Sequence, residues 1–225
     1  MICITGAGGT VGNQVLEQLK SAEMLFRAAY FSEGKADQAR SNGIDAVVID
    51  YHQPETLEAA FDGCNKLFLL GPNTLNQAEL ELNAVQAAKD RGVRHIVKQS
   101  VLGSEGESYS LARVHRQVER AIEESGLAWT FLRPNSFMQN VATFMSETIR
   151  TEGLFYSAAE NAKICHVDVR DIAAVAVRAL SDGNHESKAY ELTGSEALTY
   201  DELADKLSAA LGRQIKHVSL CLLYT

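Results

Sequence analysis

Short apolar runs alternate with longer amphipathic stretches through the first 134 residues. Residues 1–5, Met-Ile-Cys-Ile-Thr, predict a strand buried on both faces. Val11, Val15, Leu16 and Leu19 then recur at the spacing of one helical face. The same rhythm predicts strands over residues 25–31, 46–49, 66–70, 96–97 and 129–132. Pro54 sits where a first helical turn tolerates it and opens a helix through Leu57 and Phe61. Leu75, Ala78, Leu82, Val85 and Ala88 mark a further helix that stops near Gly92, and another runs from about Tyr109 to Gly126. Near-continuous apolar strands in β-α-β alternation require a parallel sheet covered by helices on both faces. Right-handed crossovers make it an α/β, Rossmann-type doubly wound sheet.

Two segments break this rhythm. Residues 135–153 read as a helix carrying a stripe of Phe137, Met138, Val141, Phe144 and Met145, a pattern that favours core packing over a ligand box. Beyond His185 come a strand over 189–192 and a helix opened by a capping box, Thr199 with Glu202. The expected organisation is a core of residues 1–134, to which 163–182 return, and a small C-terminal substrate lobe from 135–162 and 183–225.

With 46% hydrophobic residues the chain can bury a core without disulfides or structural metal. Its net charge of −8 speaks against binding nucleic acid through a basic face. Cys3, Cys64, Cys165 and Cys221 are scattered and read as buried thiols of a reducing compartment. Cys165 and His166 are adjacent, but two neighbours do not make a tetrahedral site, so no metal is expected. No apolar run approaches the ~18 residues of a membrane span, and no basic segment precedes the first strand. These features predict a soluble, cytoplasmic protein, with no membrane partner.

The chemistry concentrates after the first strand, in Thr5-Gly6-Ala7-Gly8-Gly9-Thr10-Val11-Gly12. A dinucleotide fold needs a tight turn, a close backbone approach to the pyrophosphate and tight helix–strand packing at this point. Gly6, Gly9 and Gly12 can supply them in turn, and the helix start at Thr10 and Val11 offers free N–H groups to phosphate.

The Gly-x-x-Gly-x-x-Gly spacing resembles the extended and atypical branches of the short-chain dehydrogenase/reductase superfamily. Asp50-Tyr51, Leu70-Gly71-Pro72 and Lys98-Gln99-Ser100 fall where that superfamily places its adenine-side acid, its adenosine loop and its catalytic serine. Residues 118–126, 129–135, 167–173 and 190–194 are similar to the NmrA-like subgroup. The resemblance implies cofactor contacts from Gly6, Gly9, Thr10, Val11, Gly12, Asp50, Tyr51, Leu70, Gly71, Pro72, Ser100 and Asn135.

The standard Tyr-x-x-x-Lys pair is missing, because its slots hold Leu111 and His115. Leucine donates no proton, and Tyr109 lies on a different helical face. Ser100 and His115 are the remaining catalytic candidates, against a capping role for Ser100 and a crevice-packing role for His115. Arg133 either lies beside the nicotinamide or pairs with an Asp of the core. Phe137, Met138 and His166 are the candidate substrate contacts. Where an NAD-preferring fold carries an acid, Phe31-Ser32 stands here. Ser32 and Lys35 could hold a 2′-phosphate, so NADP is expected, with NAD the outcome if Glu33 turns inward.

Relatives in the subgroup continue beyond the strand matching residues 214–218, whereas this chain ends on the apolar Leu220–Thr225, which points to a truncated lobe, a shifted reading frame or a subunit contact. The implied function is an NAD(P)H-dependent oxidoreductase. It would pass hydride directly to a small aromatic or conjugated acceptor, a quinone or dye, as a monomer or homodimer. The alternatives are a non-catalytic NAD(P)-binding redox sensor and a nucleotide-sugar epimerase-like protein.

Overall fold

A computed structural model describes residues 1–220; Cys221 and the rest of the apolar end lie outside the described residues. In chain order the elements are β1 (Ile2–Ile4), α1 (Thr10–Ser21), β2 (Phe26–Tyr30), α2 (Glu33–Ser41), β3 (Ala46–Val48), α3 (Pro54–Phe61), β4 (Lys66–Leu69), α4 (Gln77–Asp90) and β5 (His95–Gln99). They continue with α5 (Ser110–Glu124), β6 (Ala128–Pro134), α6 (Ser146–Glu152), β7 (Leu154–Ser157), α7 (Val169–Ser181), β8 (Lys188–Leu192), α8 (Tyr200–Leu211) and β9 (Lys216–Ser219). The chain divides into two compact units, Met1–Pro134 with Val169–Leu192, and Asn135–Asp168 with Thr193 onward. No described helix is long and apolar enough to cross a membrane.

The first unit holds a seven-stranded sheet in the order β3-β2-β1-β4-β5-β6-β8, parallel throughout. This is the doubly wound, Rossmann-like arrangement, and the strand order reverses between β1 and β4. Loops that leave these two strands therefore face each other across the crevice where such sheets bind ligands. Leu57 and Phe61 of α3, Leu80 and Ala84 of α4, and Val118 and Ile122 of α5 bury against Leu67, Leu69, Ile96 and Phe131.

Several details differ from the pattern-based expectation. Helix α2 buries only Ala36 and Ala39 and so carries almost no apolar periodicity to read. Leu75 precedes α4 and is fully exposed. The buried face of α5 is Ala112, His115, Val118, Glu119 and Ile122, while Leu111 turns outward. Strand β8 pairs with β6 in the large sheet, with Phe131 opposite Ala189, so residues 183–192 sit with the first unit and 163–168 with the second. β8 is half exposed, an edge-strand pattern that does not say which sheet it joins. Cys3 and Cys64 are buried free thiols, but Cys165 is only half-buried.

The second unit packs Ile149, Phe155, Ala204 and Ile215 together beneath the parallel pair β7–β9. Its helix α8 starts with the expected capping box, in which Glu202 N–H donates to Thr199 Oγ1 at 3.1 Å and Thr199 N–H donates to the Glu202 carboxylate at 2.8 Å. Residues 135–153 are not one helix. Phe137 bridges to Val167, and Met138 N–H donates to Val167 O at 2.9 Å. A π-helical turn, Val141–Met145, then leads into α6. The Met/Phe stripe is a core face only in part: Val141 and Met145 pack against the core of this unit, whereas Phe144 is 76% exposed and Met138 46%.

Truncating Phe155, which has no solvent exposure, should remove packing from the centre of this unit. Phe155→Ala is expected to lower the unfolding free energy by about 3–5 kcal/mol, against about 1 kcal/mol for Thr199→Ala. Urea unfolding of both variants checks the ranking, and a reversed order would place the core elsewhere.

Candidate active site

The loop after β1 is tied to the end of β4 by the Thr5 hydroxyl, which lies 3.0 Å from Phe68 O and 2.9 Å from the Leu70 N–H that donates to it. Gly6 adopts a left-handed φ of +64°, and a Cβ there would meet Leu70 Cγ at 2.9 Å. A Cβ on Gly12 would lie 2.1 Å from Gly6 O, so α1 can approach the loop only as glycine. Gly9 N–H donates to Gly6 O at 2.9 Å, which closes the turn. Thr10, Val11 and Gly12 open α1, and the first amides of a helix have no intrahelical partner. Val11 offers only its backbone, since its side chain is buried.

Gly6, Asp50, Tyr51, Leu70, Gly71 and Pro72 line one cavity of ≈ 320 Å³ at the β1/β4 reversal. Phe31, His52 and Thr74 join them and were not among the expected contacts. The Asp50 carboxylate accepts from His52 N–H at 2.9 Å and sits 3.0 Å from its ring Nδ1, and these contacts hold its pKa below the usual range. The Tyr51 hydroxyl donates to Leu70 O at 3.0 Å, and burial pushes that phenol far above its ordinary pKa.

Lys35 reaches over the glycine loop, with Nζ 3.2 Å from Gly8 O. Ser32 flanks the start of α2 and is exposed. Glu33 pairs with Arg40 of its own helix at 2.8 Å. Glu33, the acid next to Ser32, is thus engaged with a cation.

At the end of β5 a buried ion pair joins Lys98 to Glu81 of α4, both without solvent exposure. The other Glu81 oxygen accepts from Gly71 N–H and from Gln77 Nε2, each at 3.1 Å. Sequence reasoning missed Glu81, although an acid on the buried stripe of an amphipathic helix is the signal that could have found it. Ser100 N–H donates to Leu132 O at 2.7 Å, while its buried hydroxyl completes no hydrogen bond of normal geometry, though it lies on the side of the Glu119 carboxylate, whose pKa it helps to lower. Gln99 Oε1 and His115 Nδ1 are likewise buried and unpartnered. Burial first, and the Lys98 charge second, push His115 down to about 4, so its ring is neutral at pH 7.

No replacement for the absent tyrosine is at hand. Leu111 faces solvent, and the Tyr109 hydroxyl donates to Leu102 O at 2.7 Å. Arg133 is a core residue paired with Glu119 and Glu105, each at 2.9 Å, so its partners are glutamates and not an aspartate. Glu119 also accepts from Ser104 at 2.9 Å. Asn135 accepts from Ser136 N–H at 2.8 Å and lines neither this cavity nor the next.

Within the second unit, Met138 and His166 line a larger cavity of ≈ 710 Å³ with Val141, Leu198, Leu203 and Leu207. His166 is 8% exposed, stands edge-on to Tyr200 with ring centroids 6.0 Å apart, and has an unpartnered Nδ1. Burial lowers its pKa. Phe137 is not on this wall.

A neutral buried His115 makes stability depend on pH. The unfolded imidazole takes its proton near 6.5 and the folded one only at about 4. Its contribution is complete above pH 6.5 and is lost as pH falls through 4, a difference of about 3 kcal/mol. Unfolding titrations should show this acid-side loss shrink in His115→Gln; an unchanged profile would mean that His115 is charged in the fold.

The family model described as NAD(P)H-binding matches residues 6–183. The chain is 37% identical over 223 residues to the NAD(P)H azoreductase of Xenophilus azovorans, covering 99% of this chain and 78% of that protein. It is 32% identical over 223 residues to quinone oxidoreductase 2 of Escherichia coli K12, covering 98% and 78%. The crystal structure of the Citrobacter sp. triphenylmethane reductase complexed with NADP(H) superposes with a TM-score of 0.89 at 28% identity, over 99% of this chain and 80% of that one. A cradle that only glycine permits, in a doubly wound sheet and with this kinship, places the chain in the NAD(P)H-binding family, within the NmrA-like atypical short-chain dehydrogenase/reductases.

Proposed function

We propose that the protein is an NAD(P)H-dependent reductase of small conjugated acceptors of the quinone or dye class, with NADPH as the preferred donor. The observation that carries the cofactor half is the convergence of Gly6, Asp50, Tyr51, Gly71 and Pro72 on one crevice at the strand-order reversal. Lys35 over the loop and Glu33 turned to Arg40 favour a 2′-phosphate over free ribose hydroxyls. The buried, unpartnered atoms of Ser100 and His115 suit a polar ligand at the end of β5. When bound, the reduced nicotinamide supplies the hydride.

The protein's own residues bind and orient. With Leu111 in the donor slot and His115 neutral, neither position of the superfamily's pair is suited to deliver a proton. Acceptors whose reduced form takes its proton from water fit that limitation, and the relatives named for azo compounds, quinones and triphenylmethanes point the same way. The absence of a placed acid also favours a second reading, a redox sensor that binds NADP(H) without turnover. Buried free thiols at Cys3 and Cys64 suit a reducing, cytoplasmic setting.

NADPH oxidation followed at 340 nm with a naphthoquinone and an azo dye should be acceptor-dependent. Tight NADPH binding without oxidation by any acceptor would leave only the sensor. Lys35→Ala should weaken NADPH binding on the order of tenfold and leave NADH unchanged; an equal loss for both would remove Lys35 from the 2′-phosphate.

A further inference from the structure

In the parallel pair β7–β9, Phe155 stands opposite His217 and Ser157 opposite Ser219. Strand alternation therefore puts all four side chains on one face. The first turn of α8 brings Asp201 to the same place, with its Oδ1 2.9 Å from His217 Nδ1. The other ring nitrogen, His217 Nε2, lies 2.8 Å from Ser157 Oγ. A carboxylate can only accept, so Nδ1 carries the ring proton and Nε2 turns its lone pair to the serine hydroxyl. The Ala159 N–H approaches the same Oγ as a donor at 3.5 Å, which leaves the hydroxyl proton to Nε2. The imidazole packs against Phe155 and Tyr200, each with ring centroids 5.5 Å away, and its side chain is only 2% exposed. Asp201 and His217 line a cavity of ≈ 430 Å³ with Glu160, Asn161 and Ser219, and Ser157 borders it through its pairing with Ser219. These residues all belong to the second unit and line neither of the cavities described above.

We propose that Ser157, His217 and Asp201 form a nucleophile–base–carboxylate site that hydrolyses small uncharged carboxylic esters. Their order and spacing are those that acyl-transfer sites share across unrelated folds. Ser157 Oγ attacks the carbonyl carbon while its proton passes to His217 Nε2. The bond to the alcohol oxygen then breaks, and the alcohol leaves with that proton. Water gives a proton to His217 and its oxygen to the acyl carbon, which releases the acid as Ser157 recovers its proton. Asp201 is a positioning residue that fixes the ring tautomer. Asn161 has no hydrogen bond among the described residues, so its amide is free to donate to the developing oxyanion. The carboxylates of Glu160 and Asp201 on the cavity wall would repel an anionic ester. This activity is independent of the reductase reading.

Diisopropyl fluorophosphate tests the proposal on the unaltered chain. A bond from Oγ to phosphorus forms as fluoride leaves, and peptide mass mapping should place the adduct on Ser157; His217→Gln should lose it. Hydrolysis of 4-nitrophenyl acetate should saturate and should vanish in Ser157→Ala. The amide of Asp201→Asn can donate to Nδ1 and make Nε2 a donor, so kcat should fall on the order of a hundredfold with KM unchanged. Methyl 4-acetoxybenzoate should lose its acetyl group about tenfold faster than the anionic 4-acetoxybenzoate. No adduct on Ser157, an adduct that His217→Gln leaves unchanged, or hydrolysis that survives Ser157→Ala would overturn the proposal. Equal rates for the two benzoates would overturn the substrate class. The labelling needs no variant, so it decides the question even where a substitution prevents folding.

Discussion

A carboxylate sealed from water persists only if its charge is matched and its lone pairs are filled, and Glu81 meets both conditions. Lys98 neutralises one oxygen, while Gly71 N–H and Gln77 fill the other. One side chain thus ties α4, the end of β5 and the loop leaving β4 to a common point. Gly71 must be glycine in this setting, since a Cβ would lie 2.4 Å from the Glu81 side chain. The wall of the crevice opposite the glycine loop is set by this pair. Removing one partner would strand a bare charge in the core, at a cost of about 3–5 kcal/mol.

The same charge reaches into the chemistry. Lys98 assists burial in keeping the proton off His115, so the residue in the lysine slot of the superfamily is a neutral ring. A second buried pair, Arg133 with Glu119, takes up the cation that could otherwise have faced a ligand. Arg116 joins Glu119 from the preceding turn of α5, at 3.1 Å. Two charge networks therefore consume the ionic groups around the end of β5. What they leave are the unpartnered atoms of Gln99, Ser100 and His115, suited to hydrogen bonding and poorly suited to proton delivery. Binding and orientation are what this environment favours.

Legibility along the chain followed burial. Strand β4 stands out because Leu67, Phe68 and Leu69 are buried and apolar, whereas β5, buried throughout, shows only Ile96 and Val97 because His95, Lys98 and Gln99 are buried polar residues. Helix α2 was silent because two alanines make up its buried face. The stripe from Phe137 to Met145 misled for a different reason. Val141 and Met145 pack against the core of the second unit while Met138 borders a cavity and Phe144 faces outward, and periodicity cannot distinguish these outcomes.

The glycine loop, the capping box and the alternation of strands with helices are local properties, readable because each depends on residues within a few positions of one another. They sufficed for the doubly wound fold and for picking out Gly6, Asp50 and Gly71, which line one crevice at the strand-order reversal. Tertiary structure decided everything that rests on pairing across long separations: that β8 extends the large sheet, that Glu81 answers Lys98, and that Arg133 is bound to Glu119. A linear pattern records which side chains are charged or apolar. Only the folded chain brings distant ones within the few ångströms over which charges cancel or remain exposed.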